Sequence, residues 1–295
     1  MDAWDEIRTA FHVARLGTVS GAAEALGVHH ATVIRHIDAL EGRLGAKLFQ
    51  RHARGYTATE AGQDLLQVAQ ATDDQFTQLA GRLRGQGETV SGELVVTSLP
   101  SLSPLLAPVI AEFQRDHPGL ITRFLTDNRV FRLEYGEAHV AIRAGSVPQE
   151  PDNVVQHFIS QDVALFGTAE YLQKSPPPEN DEDLLRHRFI GFDTPKPKAP
   201  YYKWMAETIP SDQVVFRATD ARAVKYAILA GVGLGFVPTW EADQHPELIE
   251  VVPRRDEWSA NLWLVTHVDL HRTAKVQAIL THLKAQASIW NGNTT

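Results

Sequence analysis

The 295-residue sequence contains no cysteine, which removes disulfides, thiol nucleophiles and thiol redox switches from consideration. No stretch approaches the ~20 apolar residues that a membrane-spanning helix needs. The first residues, MDAWDEIRTAF, are acidic and carry no long apolar run, unlike a secretory signal. A cytoplasmic chain with no membrane partner is therefore expected. Basic charge is scarce: 28 Lys and Arg stand against 36 Asp and Glu, a net charge of −8. Such a chain repels polyanions unless its bases are grouped. A catalytic set is missing too, since no nucleophile, base and orienting residue stand at suggestive spacing. In Gly17-Thr-Val-Ser-Gly21 the serine comes one place too late for a nucleophile elbow, and no strand precedes it. Gly231-Val-Gly-Leu-Gly235 follows a helical pattern and precedes a strand, the reverse of a dinucleotide loop. His29, His30 and His36 lack the spacing and the carboxylate or thiolate partners of zinc ligands. No metal, no organic cofactor and no enzymatic activity are expected.

What is present centres on residues 17–54. Two helical patterns meet at Gly27-Val28. The first, residues 18–26, opens on the capping residue Thr18 and contains the small pair Ala22-Ala23. The second, residues 29–44, repeats apolar residues at Val33, Ile37, Leu40 and Leu44, one stripe on one face. Two short helices joined by a tight glycine turn form a helix-turn-helix pattern. The face opposite the stripe offers His29, His30, Thr32, Arg35 and His36 to hydrogen-bonding partners, as a helix in a DNA major groove requires. Residues 29–54 also gather five Lys/Arg against two acids, reversing the sign of the whole chain. Leu48 and Phe49 anchor the following segment, and Gly55 turns it into a small wing. Lys47, Arg51 and Arg54 are placed there for phosphate or minor-groove contacts. A helix ahead of this unit, residues 3–15, carries Trp4, Ile7, Phe11 and Ala14 on one side.

On these residues the chain resembles the LysR-type transcriptional regulators. The family pattern is met without gaps at Phe11, Thr18, Ala22-Ala23, Leu26, Val28, Val33, Arg35, Ile37, Leu40-Glu41, Leu44-Gly45, Leu48-Phe49, Arg51, Thr59 and Gly62. Two departures fall on the second helix: His29-His30 where the family often has Ser-Gln, and Ile34 where it has Ser. Ile34 joins the expected DNA-contacting set, and a base preference of this chain's own is expected.

Thr59 caps a further helix, with Glu60 in its first turn. Along residues 60–84, Leu65, Ala69, Thr72, Phe76, Leu79 and Leu83 recur at heptad spacing, which argues for helix pairing. In the resembled family this is the dimerising linker helix. A dimer sets two recognition helices on two half-sites and so requires near-palindromic double-stranded DNA. The resemblance implies a tetramer built as a dimer of dimers, and RNA polymerase is a further possible partner. Glycines at 81, 85, 87 and 92 then break the helix.

From residue 92 strands and helices alternate: strands 93–97, 121–126 and 140–143, and helix 103–116. A second unit holds strands 163–167, 189–192, 214–217 and 234–237 and helix 219–230. Strand 262–266 and helix 273–290 close the chain. The pattern implies parallel sheets in two α/β lobes with a cleft at their strand ends. It resembles the periplasmic-binding-protein-like effector domain of the same family, at Gly92-Glu-Leu, Pro118-Gly119, Gly136-Glu-Ala, Ala141-Ile-Arg and Gly231 to Pro238, with His139 where the family usually has Asp. The expected fold is thus multidomain. Residues 1–59 form a winged helix-turn-helix, 60–91 a linker helix and hinge, and 92–295 an effector-binding domain. Its first lobe is expected at about 92–162 and 267–295, its second at about 163–266.

Strand ends and helix N-termini suggest Ser98, Ser101, Thr126, Arg143, Gly167, Asp193, Thr219 and Pro238 as effector contacts. Hydroxyls and free backbone amides suit a carboxylate or other small anion, which Arg143 could pair. Equally, Ser98 and Ser101 could cap a helix, and Arg143 could pair with an internal acid. A DNA-binding regulator switched by a small molecule is the reading these features support. A solute-binding protein, an enzyme acting on a small acid and a regulator that senses nothing are the alternatives. The first leaves residues 17–54 unexplained, and the second needs a catalytic set that the sequence does not show.

Overall fold

The computed structural model describes residues 3–52, 55–83 and 90–290; the side chains at 71, 74, 75 and 77–83 lie outside the description. Helices α1 (Trp4–Leu16), α2 (Val19–Leu26) and α3 (His30–Leu44) precede the antiparallel hairpin of β1 (Phe49–His52) and β2 (Gly55–Ala58). Their apolar stripes meet in one core of Ala10, Val13, Val19, Ala22, Val33, Ile37, Leu40, Leu48 and Phe49. Alanine at positions 22 and 23 lets α2 and α3 approach closely. Gly27 ends α2 at φ 66°, a left-handed turn that L side chains resist, and donates its N–H back to Ala23 and Glu24.

Helix α4 (Glu60–Leu83) follows. Thr59 starts it: its hydroxyl accepts from Gly62 N–H at 3.2 Å and donates to the Lys47 carbonyl at 2.6 Å. Gly62 is required there, because a Cβ would stand 2.0 Å from the Leu48 carbonyl. α4 is thereby clamped to the wing.

The remainder forms two lobes, whose elements in chain order are β3 (Gly92–Ser98), α5 (Ser103–Asp116), β4 (Leu120–Thr126), β5 (Val140–Ala144), β6 (Asn153–Gln161), β7 (Val163–Thr168), α6 (Ala169–Lys174), α7 (Asp181–Leu184), β8 (Phe189–Phe192), α8 (Pro200–Thr208), β9 (Val214–Ala218), α9 (Ala221–Leu229), β10 (Gly235–Pro238), α10 (Thr239–Ala242), β11 (Leu248–Val252), β12 (Ala260–His267), α11 (Val268–His271) and α12 (Ala274–Trp290). The first lobe has a five-stranded sheet in the order β4-β3-β5-β12-β6. α5 and α12 pack on one face through Leu106, Val109, Phe113, Val276, Ile279 and Leu283. The second lobe holds β10-β7-β11 and the parallel pair β8-β9. Ile190 N–H donates to the Leu234 carbonyl at 2.8 Å, which joins the two pieces.

The structure corrects three expectations. The sheets are mixed: β12 runs antiparallel to β5 and β6, and β7 runs antiparallel to β10 and β11. Strands β6 and β11 are additions. Both are nonetheless flanked by prolines, Pro148 and Pro151 before β6 and Pro246 and Pro253 around β11. The lobe boundary also moves, because β12 belongs to the first lobe. Leu262 and Leu264 pack into the same core as Leu94 and Val96, so the second lobe closes before Ala260 instead of after residue 266. Two crossings connect the lobes, one through Asp162 and one through the segment between β11 and β12.

Candidate nucleic-acid interface and effector cleft

The α2–α3 unit exposes the N-terminal turn of α3. Thr18 caps α2, accepting from Gly21 N–H at 3.1 Å. His29 caps α3: its Nδ1 accepts from Ala31 N–H at 3.4 Å, which leaves Nε2 as the N–H of the neutral ring. His29, His30 and Arg35 are exposed, and Thr32 is half-buried beside them. No described residue pairs with the Arg35 guanidinium, a free cation on the open face.

Two residues expected on that face turn inward. Ile34 is half-buried against the domain core. His36 Nδ1 lies 2.9 Å from Thr9 Oγ1, and the single hydroxyl proton of Thr9 already goes to the Asp5 carbonyl at 2.6 Å. The His36 Nδ1–H is therefore the donor, and the ring braces α3 against α1. The physical reason is helix geometry: position 36 is next to Ile37 on the buried stripe.

On the wing, Lys47 and Arg51 converge on an acid that the sequence pattern does not mark as functional. Glu41 is buried on α3 between Leu40 and Leu44. Its Oε1 accepts the backbone N–H groups of Leu48 and Phe49 at 3.0 and 3.2 Å. Its Oε2 accepts Lys47 Nζ at 2.7 Å and an Arg51 N–H at 3.3 Å. Burial pushes this carboxyl up, but the Lys47 ammonium and the two amides outweigh it and hold it below the usual range. Arg51 also pairs with Asp38 at 2.5 Å and lies over the Tyr56 ring. The only sign in the chain was an acid on an apolar stripe. Arg54 lies outside the described residues.

The expected dimer seam divides. Leu65 packs on the N-terminal core, where α1 lies along α4, and Ala69 is buried as well. Thr72 is half-buried, its hydroxyl bonded to the Val68 carbonyl at 2.8 Å. Phe76, 56% exposed, meets Trp4 edge-to-face at 6.1 Å, and Val68 is 62% exposed. The open apolar stripe is thus Trp4, Val68 and Phe76. The Leu79 and Leu83 side chains lie outside the described residues. Lower on α4, Gln67 Nε2 approaches His267 Nε2 at 3.0 Å, tying the helix to the first lobe.

Strand direction defines a cleft between the lobes. In the first lobe β3, β4, β5 and β6 end at one rim, which carries Ser98, Thr126, Ala144 and Gln161. Gln161 is followed at once by Asp162 and β7. In the second lobe β8, β9 and β10 end beside the start of β7: Pro238 pairs with Val163, Thr239 N–H donates to the Asp162 carbonyl at 3.0 Å, and Asp193 N–H donates to Ala218 at 2.8 Å. Ser98, Thr126, Asp193, Thr219 and Pro238 therefore border one cleft.

Gly167 does not. Because β7 is antiparallel to β10, Gly167 lies at its far end, ~13 Å along the strand from Val163. Ser98 Oγ donates to the Leu99 carbonyl at 3.0 Å, and Ser101 lies in a 3-10 turn ahead of α5. Arg143 is engaged, at 2.9 Å from Glu150 and 3.1 Å from the Phe131 carbonyl. Thr219 is displaced as a cap by Asp220, which accepts from Arg222 N–H at 2.7 Å. His139 stands in for the family's acid: its Nδ1 accepts Val95 N–H at 2.9 Å inside the core. No group of His, Asp and Glu among the described residues could hold a metal ion.

Residues 4–63 match the family model of the bacterial regulatory helix-turn-helix protein, lysR family, and residues 87–288 match that of the LysR substrate binding domain. The HTH-type transcriptional activator TtdR of Escherichia coli is 26% identical over 296 residues, 95% of this chain and 92% of its own. The HTH-type transcriptional repressor PA14_22550 of Pseudomonas aeruginosa is 27% identical over 73% of this chain and 68% of its own. The full-length regulator LysG of Corynebacterium glutamicum with bound effector Arg shares the fold, with a TM-score of 0.69 at 17% identity over 98% and 99% of the two chains.

Proposed function

The chain belongs to the LysR family of bacterial transcriptional regulators, joining a helix-turn-helix DNA-binding domain to an effector-binding domain, and on that premise we propose how its residues divide the work. It is a regulator, not an enzyme, and it binds DNA and a small molecule. α3 enters the major groove with Arg35, His30 and Thr32 toward base edges, and His29 reaches an acceptor through its Nε2–H. Thr18, Lys47, Arg51 and Arg54 hold the phosphate backbone. The observation that carries this assignment is the exposed Arg35 guanidinium on the second turn of α3, without a partner among the described residues, beyond the exposed His29 and His30 at the start of the helix.

Two copies pair through the Trp4, Val68 and Phe76 stripe and read a near-palindromic site, and two such dimers form a tetramer. Bound beside a promoter, the assembly acts on RNA polymerase in the cytoplasm. No helix among the described residues is long and apolar enough to cross a membrane. One relative is named an activator and another a repressor, so either sign of control fits this architecture. The effector, a small carboxylate or other small anion, sits between the rims at Ser98, Thr126, Asp193, Thr219 and Pro238. It shifts the balance of two lobe arrangements by its differential affinity for them. A DNA selection with purified protein across a salt series tests the core of this reading. Enrichment of one two-fold-symmetric sequence that persists at high salt is expected. Uniform binding of all sequences would overturn it.

A further inference from the structure

The basic patch of the N-terminal unit is largely engaged by the protein's own acids. Residues 29–54 contain Arg35, Arg43, Lys47, Arg51 and Arg54 against Asp38 and Glu41. Arg43 reaches Glu6 on α1 at 2.7 Å, and Lys47 reaches Glu41 at 2.7 Å. Arg51 is held on three sides, by Asp38 at 2.5 Å, by Glu41 at 3.3 Å and by the Tyr56 ring at 5.4 Å. The hydrogen bond from Asp38 is the foremost influence raising the Arg51 guanidinium above its ordinary value. Asp38 differs from Glu41, which is buried and accepts two backbone amides as part of the fold. The Asp38 side chain is 53% exposed and pairs only with Arg51 among the described residues. It follows Arg35 by three positions on α3, so the two are neighbours on one helix face. It therefore stands between the turn that presents Arg35 and the wing that carries Arg51.

A carboxylate accepts the same guanidinium N–H groups that a DNA phosphate accepts. We propose that Asp38 is an internal competitor for DNA phosphate: in the free protein it occupies Arg51 where a backbone oxygen would bind, and so it sets how tightly this regulator holds DNA of any sequence. This rests on the reading of α3 and the wing as the DNA interface. A phosphate must either displace Asp38 from Arg51 or approach the pair with the carboxylate in place. The first breaks an ion pair and the second brings two anions together. Both lower affinity, and neither depends on the bases. Arg35, without a partner among the described residues, faces no such exchange. Base readout therefore keeps its full effect while the sequence-independent grip is low. The net charge of −8 acts in the same direction.

The test uses the full chain and measures its affinity for a selected duplex and for a scrambled one across a salt series. Asp38→Asn keeps the size of an exposed side chain and removes its charge, and its melting temperature confirms the fold. It is expected to tighten both duplexes by the same factor, about fivefold at low salt. Its salt dependence should steepen by one phosphate contact, a change of ~0.9 in the log–log slope. Arg51→Ala is expected to cost several-fold more affinity in the Asp38→Asn background than in the parent, because only there is the guanidinium released to phosphate. The proposal is overturned if Asp38→Asn binds no tighter than the parent, or if Arg51→Ala costs the same in both backgrounds. It is also overturned if Asp38→Asn changes the selected duplex alone, which would place Asp38 at a base edge. Each of these results leaves the DNA interface standing. Failure of the parent to bind any duplex would overturn that reading, and the proposal with it.

Discussion

Glu41 Oε2 lies 2.7 Å from Lys47 Nζ, a pair that is 2% exposed at one end and 75% at the other. The carboxylate fixes the base of the wing while the ammonium still reaches outward. Replacing Glu41 by Ala leaves the Leu48 and Phe49 amides without an acceptor and releases two cations, at a cost of about 3 kcal/mol. The folded carboxyl sits below its unfolded value, so its stabilisation is complete above the ordinary Glu range. It is lost as pH falls through the lower, folded value. In thermal melts from pH 7 to pH 3, Glu41→Gln should melt lower than the parent at pH 7 and converge with it in acid. A constant gap across that range would count against the linkage.

The two sets of DNA contacts should respond differently to mutation. Arg35→Ala removes a cation that is free to take two guanine acceptors, and is expected to cost about 1–3 kcal/mol on the preferred site and little on random DNA. Lys47→Ala should weaken all sequences alike and lower the salt slope by about 0.9. Filter binding on selected and scrambled duplexes at several salt concentrations separates the two. Equal losses from Arg35→Ala on both duplexes would remove it from base readout.

The N-terminal unit was legible because its helices advertise themselves locally. The stripe through Val33, Ile37 and Leu40, the stop at Gly27 and the cap at Thr59 each act within a few residues, and each appears in the structure. What lies across the chain was not legible. The inward turn of His36 depends on Thr9, 27 positions away. The loss of Gly167 from the cleft depends on the direction of β7, which a strand pattern does not encode. β12 joins the first lobe for the same reason, since pairing partners are chosen by the whole sheet. Leu65 kept its heptad spacing yet met the core of its own N-terminal unit, because a heptad specifies a face and not its occupant.

His139 gives a prediction about the first lobe. Its Nδ1 takes Val95 N–H at 2.9 Å in a buried sheet. His139→Ala removes that acceptor and should cost about 1–3 kcal/mol. His139→Asp restores an acceptor of the kind the family carries and should recover part of the loss. Urea denaturation followed by far-ultraviolet dichroism measures both variants, and an Asp variant less stable than the Ala variant would contradict the acceptor role.

The stripe on α4 can be separated from the core beneath it. Phe76 is open except for its edge contact with Trp4, so Phe76→Glu should leave the monomer folded with nearly unchanged secondary structure. It should prevent pairing, because a charge placed in an apolar interface must be desolvated without a partner. Leu65 packs on the core of the N-terminal unit, so Leu65→Ala should instead lower stability by about 2 kcal/mol and leave the subunit contact intact. Sedimentation fixes the oligomeric state of each variant, and binding to full and half sites gives the consequence. Phe76→Glu should bind a full site no better than a half site, whereas Leu65→Ala below its melting point should keep the advantage. If Phe76→Glu sediments as the parent does, the stripe of Trp4, Val68 and Phe76 is not the pairing surface, because no dimer could bury that carboxylate against an apolar partner without loss.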